Sequence, residues 1–257
     1  MIKCAVLGSP INHSLSPTIH RLAYEELGID GSYEAIEINE NNFDDFFTKA
    51  KAENWTGFSL TMPLKEIAVK VADETDQLAQ RIKSANTLLN INSKWIALST
   101  DLLAFKSLIE IESEAKVKVI GGGGTARAAI GALAATQSEI EVYIRSESRK
   151  EDLLGAAGSC KLIFKEMKEL NESGELIIST LPKHALDPYV DTFDKGSGTF
   201  LDVSYNPWPS KAAALWGGRV ISGHELLVEQ AMYQITFMTG EDFNYHLMRG
   251  KLLAAIK

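Results

Sequence analysis

The residues with the clearest capacity for chemistry are Gly121, Gly122, Gly123 and Gly124, followed directly by Thr125 and Ala126. Gly121, Gly123 and Ala126 fit G-x-G-x-x-G/A, a spacing that lets backbone approach a pyrophosphate while the next helix aims free N–H groups and a positive dipole end at it. A bare tight turn is the alternative, since glycine serves both. A second group is spread over the first hundred residues. Lys65 follows Pro63 just beyond an apolar strand, where open α/β sheets place ligands; an ordinary exposed lysine is the other reading. Asn86 reads equally as a turn former or a ligand, and Asp101 as a helix N-cap or a carboxylate at a strand end. Ser16 reads as the cap of a helix with Pro17 as its first residue, and equally as a hydroxyl among N–H groups that could receive a carboxylate.

The elements that must hold these residues are legible from periodicity. Ile2–Leu7, Ser32–Ile38 and Trp55–Leu60 read as strands, and the stretches beginning at Ser16 and Phe43 read as amphipathic helices. Pro63 is expected to fix the first turn of a further helix that carries Lys65, and Leu102–Ile111 is expected to be helical after the strand ending near Thr100. This β-α-β-α-β order belongs to the α/β class. Val117–Ile120 reads as the strand before the glycines, and the alanine-rich segment from Gly124 to near Ala135 as the helix after them. Glu139–Ile144, Glu175–Ser179, Thr199–Val203 and Arg219–Gly223 then read as strands, and Glu225–Thr239 and Glu241–Ile256 as closing helices.

Composition narrows the classes of function. A chain of 257 residues, 45% hydrophobic, can bury one large core or two modest ones, and two is the better expectation. A formal net charge of −8 without a basic block argues against nucleic acid and anionic membrane surfaces as partners. Cys4 and Cys160 lie far apart, and His13, His20, His184, His224 and His246 lack metal-ligand spacing, so neither a disulfide framework nor a metal is expected. The start is too short for a secretory h-region and no run approaches a membrane span, which reads as a cytoplasmic protein.

In combination these segments resemble the shikimate dehydrogenase family, in order and over nearly the whole chain. Its S-x-S-P-x-x-H stands as Ser14 to His20, its T-x-P-x-K as Thr61 to Lys65, its A-x-N-T segment within Ser84 to Thr87, and its T-D pair as Thr100-Asp101. The glycine loop is Gly121 to Ala128, D-x-x-Y-x-P matches Asp202, Tyr205 and Pro207, and Gly223 with Leu227 to Gln230 resembles the closing G-x-x-x-L-x-x-Q. The resemblance implies a substrate domain of residues 1–101 with 225–257, a Rossmann-like NADP-binding domain of residues 102–224, and a cleft between them. It implies NADP-dependent reduction of 3-dehydroshikimate to shikimate, with Lys65 as acid/base beside Asp101. Ser14, Ser16 and Thr61 would hold the substrate carboxylate with support from Tyr205, and Asn86, Asp101 and Gln230 would hold the ring hydroxyls. The chemistry agrees, because a secondary alcohol losing hydride must also lose its O–H proton, so one positioned group must manage a proton. A quinate or shikimate dehydrogenase using NAD is the second enzyme reading, and a ligand-binding homologue without turnover is the third. Either a monomer or a homodimer is compatible with the sequence.

Departures from the family pattern are Ser59 and Leu60 in its Asn-Val-Thr, Ala97 and Ser99 ahead of Thr100-Asp101, and Ala104 at a later glycine. Ser59, shorter than Asn, puts a direct substrate contact in doubt, and Ser99 does the same for the local support of Asp101. For the cofactor, a carboxylate at the end of the second nucleotide-domain strand would select NAD, whereas arginine and serine suit a 2′-phosphate. Arg145 stands at that end, with Ser146 and Arg149 close by and Glu147 as the dissenting charge, so NADP is expected. Thr180, Val203 and Gly223 would face the cofactor by resemblance, with turn roles as the alternative for the first two.

Overall fold

A short apolar run with no alternation is what a parallel strand covered on both faces requires, and the first strand, β1 (Ile2–Gly8), is buried continuously from Cys4 to Gly8. The computed structural model describes residues 1–191 and 193–256. It divides the chain into two units, Met1–Leu103 with the segment from Leu227 onward, and Ala104–Leu226.

In the first unit β1 is followed by α1 (Ser16–Glu26), β2 (Gly31–Glu37), α2 (Phe43–Lys51), β3 (Gly57–Leu60), α3 (Lys65–Val71), β4 (Glu74–Thr75), α4 (Gln77–Ile82), β5 (Thr87–Ile91), β6 (Lys94–Leu98) and the first turn of α5 (Thr100–Leu108), whose later residues are counted with the second unit. The sheet order is β2-β1-β3-β5-β6-β4; β5 runs antiparallel to both its neighbours, and the other pairs are parallel. This arrangement fixes the chemistry. Strands β3 and β6 end on the same sheet edge at which β5 begins, so residues just after β3, just after β6 and just before β5 are brought together. Those residues include Lys65, Asp101 and Asn86.

Aromatic packing holds that frame. Phe58 of β3 stacks on Trp95 of β6 at 5.2 Å with planes 7° apart, and Phe47 of α2 meets Trp95 edge-on at 5.1 Å. Burying each such ring is worth roughly 2 kcal/mol or more, and the stacked geometry adds to it. On another face Ile19 and Ala23 of α1 pack with Val228, Ala231, Met232 and Ile235, and with Met248 and Leu252 near the chain end.

The second unit contains β7 (Lys116–Ile120), α6 (Gly124–Ala132), β8 (Glu139–Tyr143), α7 (Lys150–Ala156), β9 (Lys161–Lys165), β10 (Leu176–Ser179), β11 (Thr199–Asp202), α8 (Lys211–Leu215) and β12 (Arg219–Ile221). All its strands are parallel, in the order β12-β11-β10-β7-β8-β9. This is the doubly wound Rossmann-like order, with its switch point between β7 and β10. Helix α9 (Gly223–Thr239) and helix α10 (Tyr245–Ala255) complete the described chain.

Three local expectations are corrected. Ser16 is the first residue of α1, not its cap; the preceding Leu15 makes no side-chain cap, and the Ser14 hydroxyl accepts the Ser16 N–H at 3.3 Å instead. Pro63 lies in the turn between β3 and α3 and is not in the helix, which starts at Lys65. Asp101 is inside the first turn of α5; the cap is supplied by Ser99, whose hydroxyl accepts the Leu102 N–H at 3.3 Å.

Candidate active site

Lys65 and Asp101 meet at the carboxyl edge of the first sheet: Nζ of Lys65 donates to Oδ2 of Asp101 at 2.6 Å. The pair is neither fully buried nor free in water, with side chains 18% and 11% exposed. A salt bridge largely removed from solvent keeps the ammonium pointed while leaving it reachable by a reacting oxygen.

Asn86 holds the pair in place. Its Oδ1 accepts the backbone N–H groups of Thr100 at 2.7 Å and Asp101 at 3.2 Å, two of the N–H groups that a helix start leaves without an intrahelical partner. Its Nδ2 is shared among Thr100 Oγ1 at 2.8 Å, Asp101 Oδ1 at 3.0 Å and Gln230 Oε1 at 3.0 Å. Asn86 therefore shapes the backbone at the start of α5 and presents its amide to the same cluster. Gln230 is oriented in turn by donating Nε2 to Leu227 O at 2.8 Å. Ser99, a departure from the family pattern, supports Asp101 by capping the helix that carries it.

The hydroxyl residues of the first unit lie on neighbouring loops. Thr61 follows β3, with its N–H donated to Leu7 O at 2.9 Å, and its methyl packs on Gly8, where any Cβ would come within 2.3 Å of it. Ser14 and Ser16 are tied by their own hydrogen bond, and Ser16 is buried. Ser59 is buried and engaged by Tyr33 Oη at 2.5 Å and Gln234 Oε1 at 2.8 Å. Sequence reading passed over His20, Tyr33 and Gln234 as site-forming residues. The inward register of Tyr33 on β2, and the four-residue spacing that puts Gln230 and Gln234 on one face of α9, were the available signals.

In the second unit the glycine loop has the geometry of a phosphate cradle. Gly121 has φ +120°, and a Cβ there would lie 2.2 Å from Thr180 Oγ1, so only glycine fits. Thr180 is fixed by donating both its N–H and its hydroxyl to Ile120 O at 2.9 Å, across the β7–β10 switch point. A Cβ on Gly122 would meet Arg149 Cβ at 3.2 Å, and one on Gly123 would meet nothing within 4 Å. Helix α6 starts after Gly123, which has no side chain to cap it, and a helix start in that place aims its dipole at an anion. Arg145, Ser146 and Arg149 are exposed beyond β8, and Glu147 is occupied by Lys150 at 2.7 Å. Gly124, Thr125 and Ala126 form the first turn of α6. Val203, past β11, donates its N–H to Ser179 O at 3.0 Å; Gly223 lies so close to Val203 O that a Cβ would reach 2.4 Å. Tyr205 belongs to this unit and stands with its ring 5.7 Å from that of His224; burial pushes its hydroxyl pKa up.

Residues 6–88 match the family model of the shikimate dehydrogenase substrate binding domain. A shikimate dehydrogenase (NADP(+)) of Methanosarcina acetivorans is 34% identical over 274 residues, covering 98% of both chains. The crystal structure of Mycobacterium tuberculosis shikimate dehydrogenase superposes with a TM-score of 0.88 at 33% identity, covering all of both chains. That of shikimate 5-dehydrogenase from Thermus thermophilus, in complex with NADP(H) and shikimate, gives a TM-score of 0.84 at 27% identity over 99% of this chain and 100% of that one. With a full-length relative above 30% identity and the same fold in both halves, this chain belongs to the shikimate dehydrogenase family.

Proposed function

We propose that the chain catalyses the reversible, NADP-dependent reduction of 3-dehydroshikimate to shikimate. The observation that carries this is the Lys65–Asp101 pair, 2.6 Å apart and framed by Asn86 and Gln230, in a chain whose full-length relatives are named as NADP-dependent shikimate dehydrogenases. The first unit is the substrate domain and the second the NADP domain.

In the reduction direction the substrate carbonyl gains a hydride and becomes an alkoxide; the Lys65 ammonium, held by Asp101, donates the proton that completes the alcohol. In oxidation the same nitrogen, as a free amine, takes that proton. Asn86, Asp101 and Gln230 hold the ring hydroxyls: an amide both donates and accepts, as a polyol requires. Ser14, Ser16 and Thr61 receive the carboxylate.

The glycine loop fits a dinucleotide by the observations already given: a left-handed Gly121, open space at Gly123 and an uncapped helix start. When bound, the reduced cofactor NADPH would supply the hydride, and NADP+ would take it up in the reverse direction. Gly121, Gly122, Gly123, Gly124, Thr125 and Ala126 would take the pyrophosphate, Arg145, Ser146 and Arg149 the 2′-phosphate, and Thr180, Val203 and Gly223 the remainder. No helix among the described residues is long and apolar enough to cross a membrane. The enzyme acts on a small molecule in the cytoplasm, as a monomer or homodimer. The test is a panel of shikimate and quinate against NADP and NAD, followed by nicotinamide absorbance. Turnover highest with shikimate and NADP is expected; preference for quinate or for NAD would overturn that part of the assignment.

A further inference from the structure

Behind Asn86 and Gln230 lies a second glutamine of α9 to which the proposed reaction assigns no role. Gln234 is wholly buried and follows Gln230 by four residues, so the two amides leave the same face of the helix about one turn apart. A buried amide is costly unless its two protons and its carbonyl oxygen are matched. Gln234 meets that condition with partners on three other elements. Its Nε2 donates to Asn86 O at 3.1 Å and Thr87 Oγ1 at 2.9 Å, at the start of β5. Its Oε1 accepts the Ser59 hydroxyl of β3 at 2.8 Å and faces His20 Nε2 of α1 at 3.3 Å.

Chemistry fixes which way this amide points. A backbone carbonyl only accepts, so the Gln234 atom against Asn86 O is the NH₂, and the oxygen is left to Ser59 and His20. Ser59 thus donates to Gln234, Tyr33 donates to Ser59 at 2.5 Å, and His20 carries its proton on Nε2.

The consequence falls on Asn86, which the two glutamines engage by different parts. Gln234 binds its backbone carbonyl, and Gln230 Oε1 receives its side-chain amide at 3.0 Å. Asn86 O also accepts the Leu60 N–H at 2.8 Å, so one carbonyl joins the end of β3, the start of β5 and α9. The second bond of Gln230, from Nε2 to Leu227 O, stays within α9 and cannot register the helix against the sheet. The apolar contacts of Val228, Ala231, Met232 and Ile235 are non-directional. A shift of α9 that takes Gln230 away from Asn86 must therefore also break the two bonds that Gln234 donates.

We propose that Gln234 is a positioning residue for the ring-hydroxyl subsite: it fixes the height and rotation of α9 against Asn86 and so presets the Gln230 amide for substrate. The inference rests on the shikimate reading above, and Gln234 acts through Gln230.

Steady-state kinetics of Gln234→Met, Gln230→Ala and the double variant test this, with Thr87→Val as a gentler probe and thermal unfolding as the check on folding. Methionine keeps the length of the side chain and removes its donors. Gln234→Met is expected to raise KM for shikimate about tenfold, the size of one lost hydrogen bond, while kcat at saturation and KM for NADP change less than about twofold. In the Gln230→Ala background the same change should add less than about twofold, because the group it acts through is gone. Thr87→Val removes one of the two acceptors of Gln234 and should raise KM for shikimate about threefold, again only while Gln230 is present; it carries the test if Gln234→Met does not fold. An unchanged KM for shikimate in a folded variant, an equal rise in the Gln230→Ala background, or a loss of the same size in kcat or in KM for NADP would each overturn the proposal. Calorimetric binding of shikimate to the same proteins separates the two claims. Binding that follows this pattern without turnover supports the positioning role and refutes only the enzymatic reading, whereas a parent chain that neither binds nor turns over shikimate refutes both.

Discussion

Replacing Asn86 with alanine tests whether the site is built as the hydrogen bonds imply. The side chain accepts two N–H groups at the start of α5 and donates to Thr100, Asp101 and Gln230, all inside a buried cluster. Alanine removes the acceptor of two N–H groups at the helix start, a loss comparable to that of a cap, about 1 kcal/mol. It also strands buried polar partners, at about 1–3 kcal/mol for the group left least satisfied. A net loss of about 3 kcal/mol is expected, which for a chain of this size lowers Tm by roughly 6–12 °C. Activity should fall further than stability explains, because Asp101 loses a donor and the helix that aims it loses its anchor. Differential scanning calorimetry gives the first number, and kcat/KM for shikimate well below the new Tm gives the second. A Tm within about 2 °C of the parent, with turnover intact, would show that Asn86 is merely one polar residue among many and refute the reasoning.

Two further outcomes follow from the same structure. Burial of His20 lowers its pKa from 6.5 to about 3. Below pH 6.5 the unfolded chain therefore binds a proton that the folded one refuses, and stability falls with pH at roughly 1.4 kcal/mol per unit down toward pH 3. Between pH 6.5 and 5 the parent should lose about 2 kcal/mol more than a His20→Gln variant in denaturant melts; parallel curves would contradict this. Arg145→Ala is expected to raise KM for NADP at least about tenfold with little change for NAD, since only the 2′-phosphate is affected. A matching loss with both cofactors would place Arg145 elsewhere.

How much of this was legible in the sequence depended on how local the cause was. The glycine loop was readable because its requirement is a property of single residues: Gly121 needs φ +120° and has Thr180 where a side chain would be. Lys65 and Asp101 were readable as residues at strand ends, and the antiparallel insertion of β5 explains why ends so far apart in sequence share an edge. Which residue caps which helix was not readable. Ser99, Thr100 and Asp101 can all cap in principle, and the choice is made by Asn86, which reaches the helix only through tertiary structure. Likewise Ser16 reads from sequence equally as a cap or as a hydroxyl for a carboxylate, whereas in the fold it is the first residue of α1 and its N–H is taken by the Ser14 hydroxyl. Ser59 looked like a weakened substrate contact; its partners Tyr33 and Gln234 lie 26 and 175 residues away, beyond any local pattern. The two-residue β4 and the short α4 carry too few residues for periodicity to register.

The central claim is that the Lys65 ammonium manages the proton of the reacting alcohol. Lys65→Ala, assayed with shikimate and NADP beside calorimetric binding of shikimate, measures it most directly. A fall in kcat of at least about a thousandfold, with Kd for shikimate changed less than about tenfold, is expected for the loss of a general acid/base. A variant that retains most of its turnover, or one whose entire loss is in binding, would contradict the account.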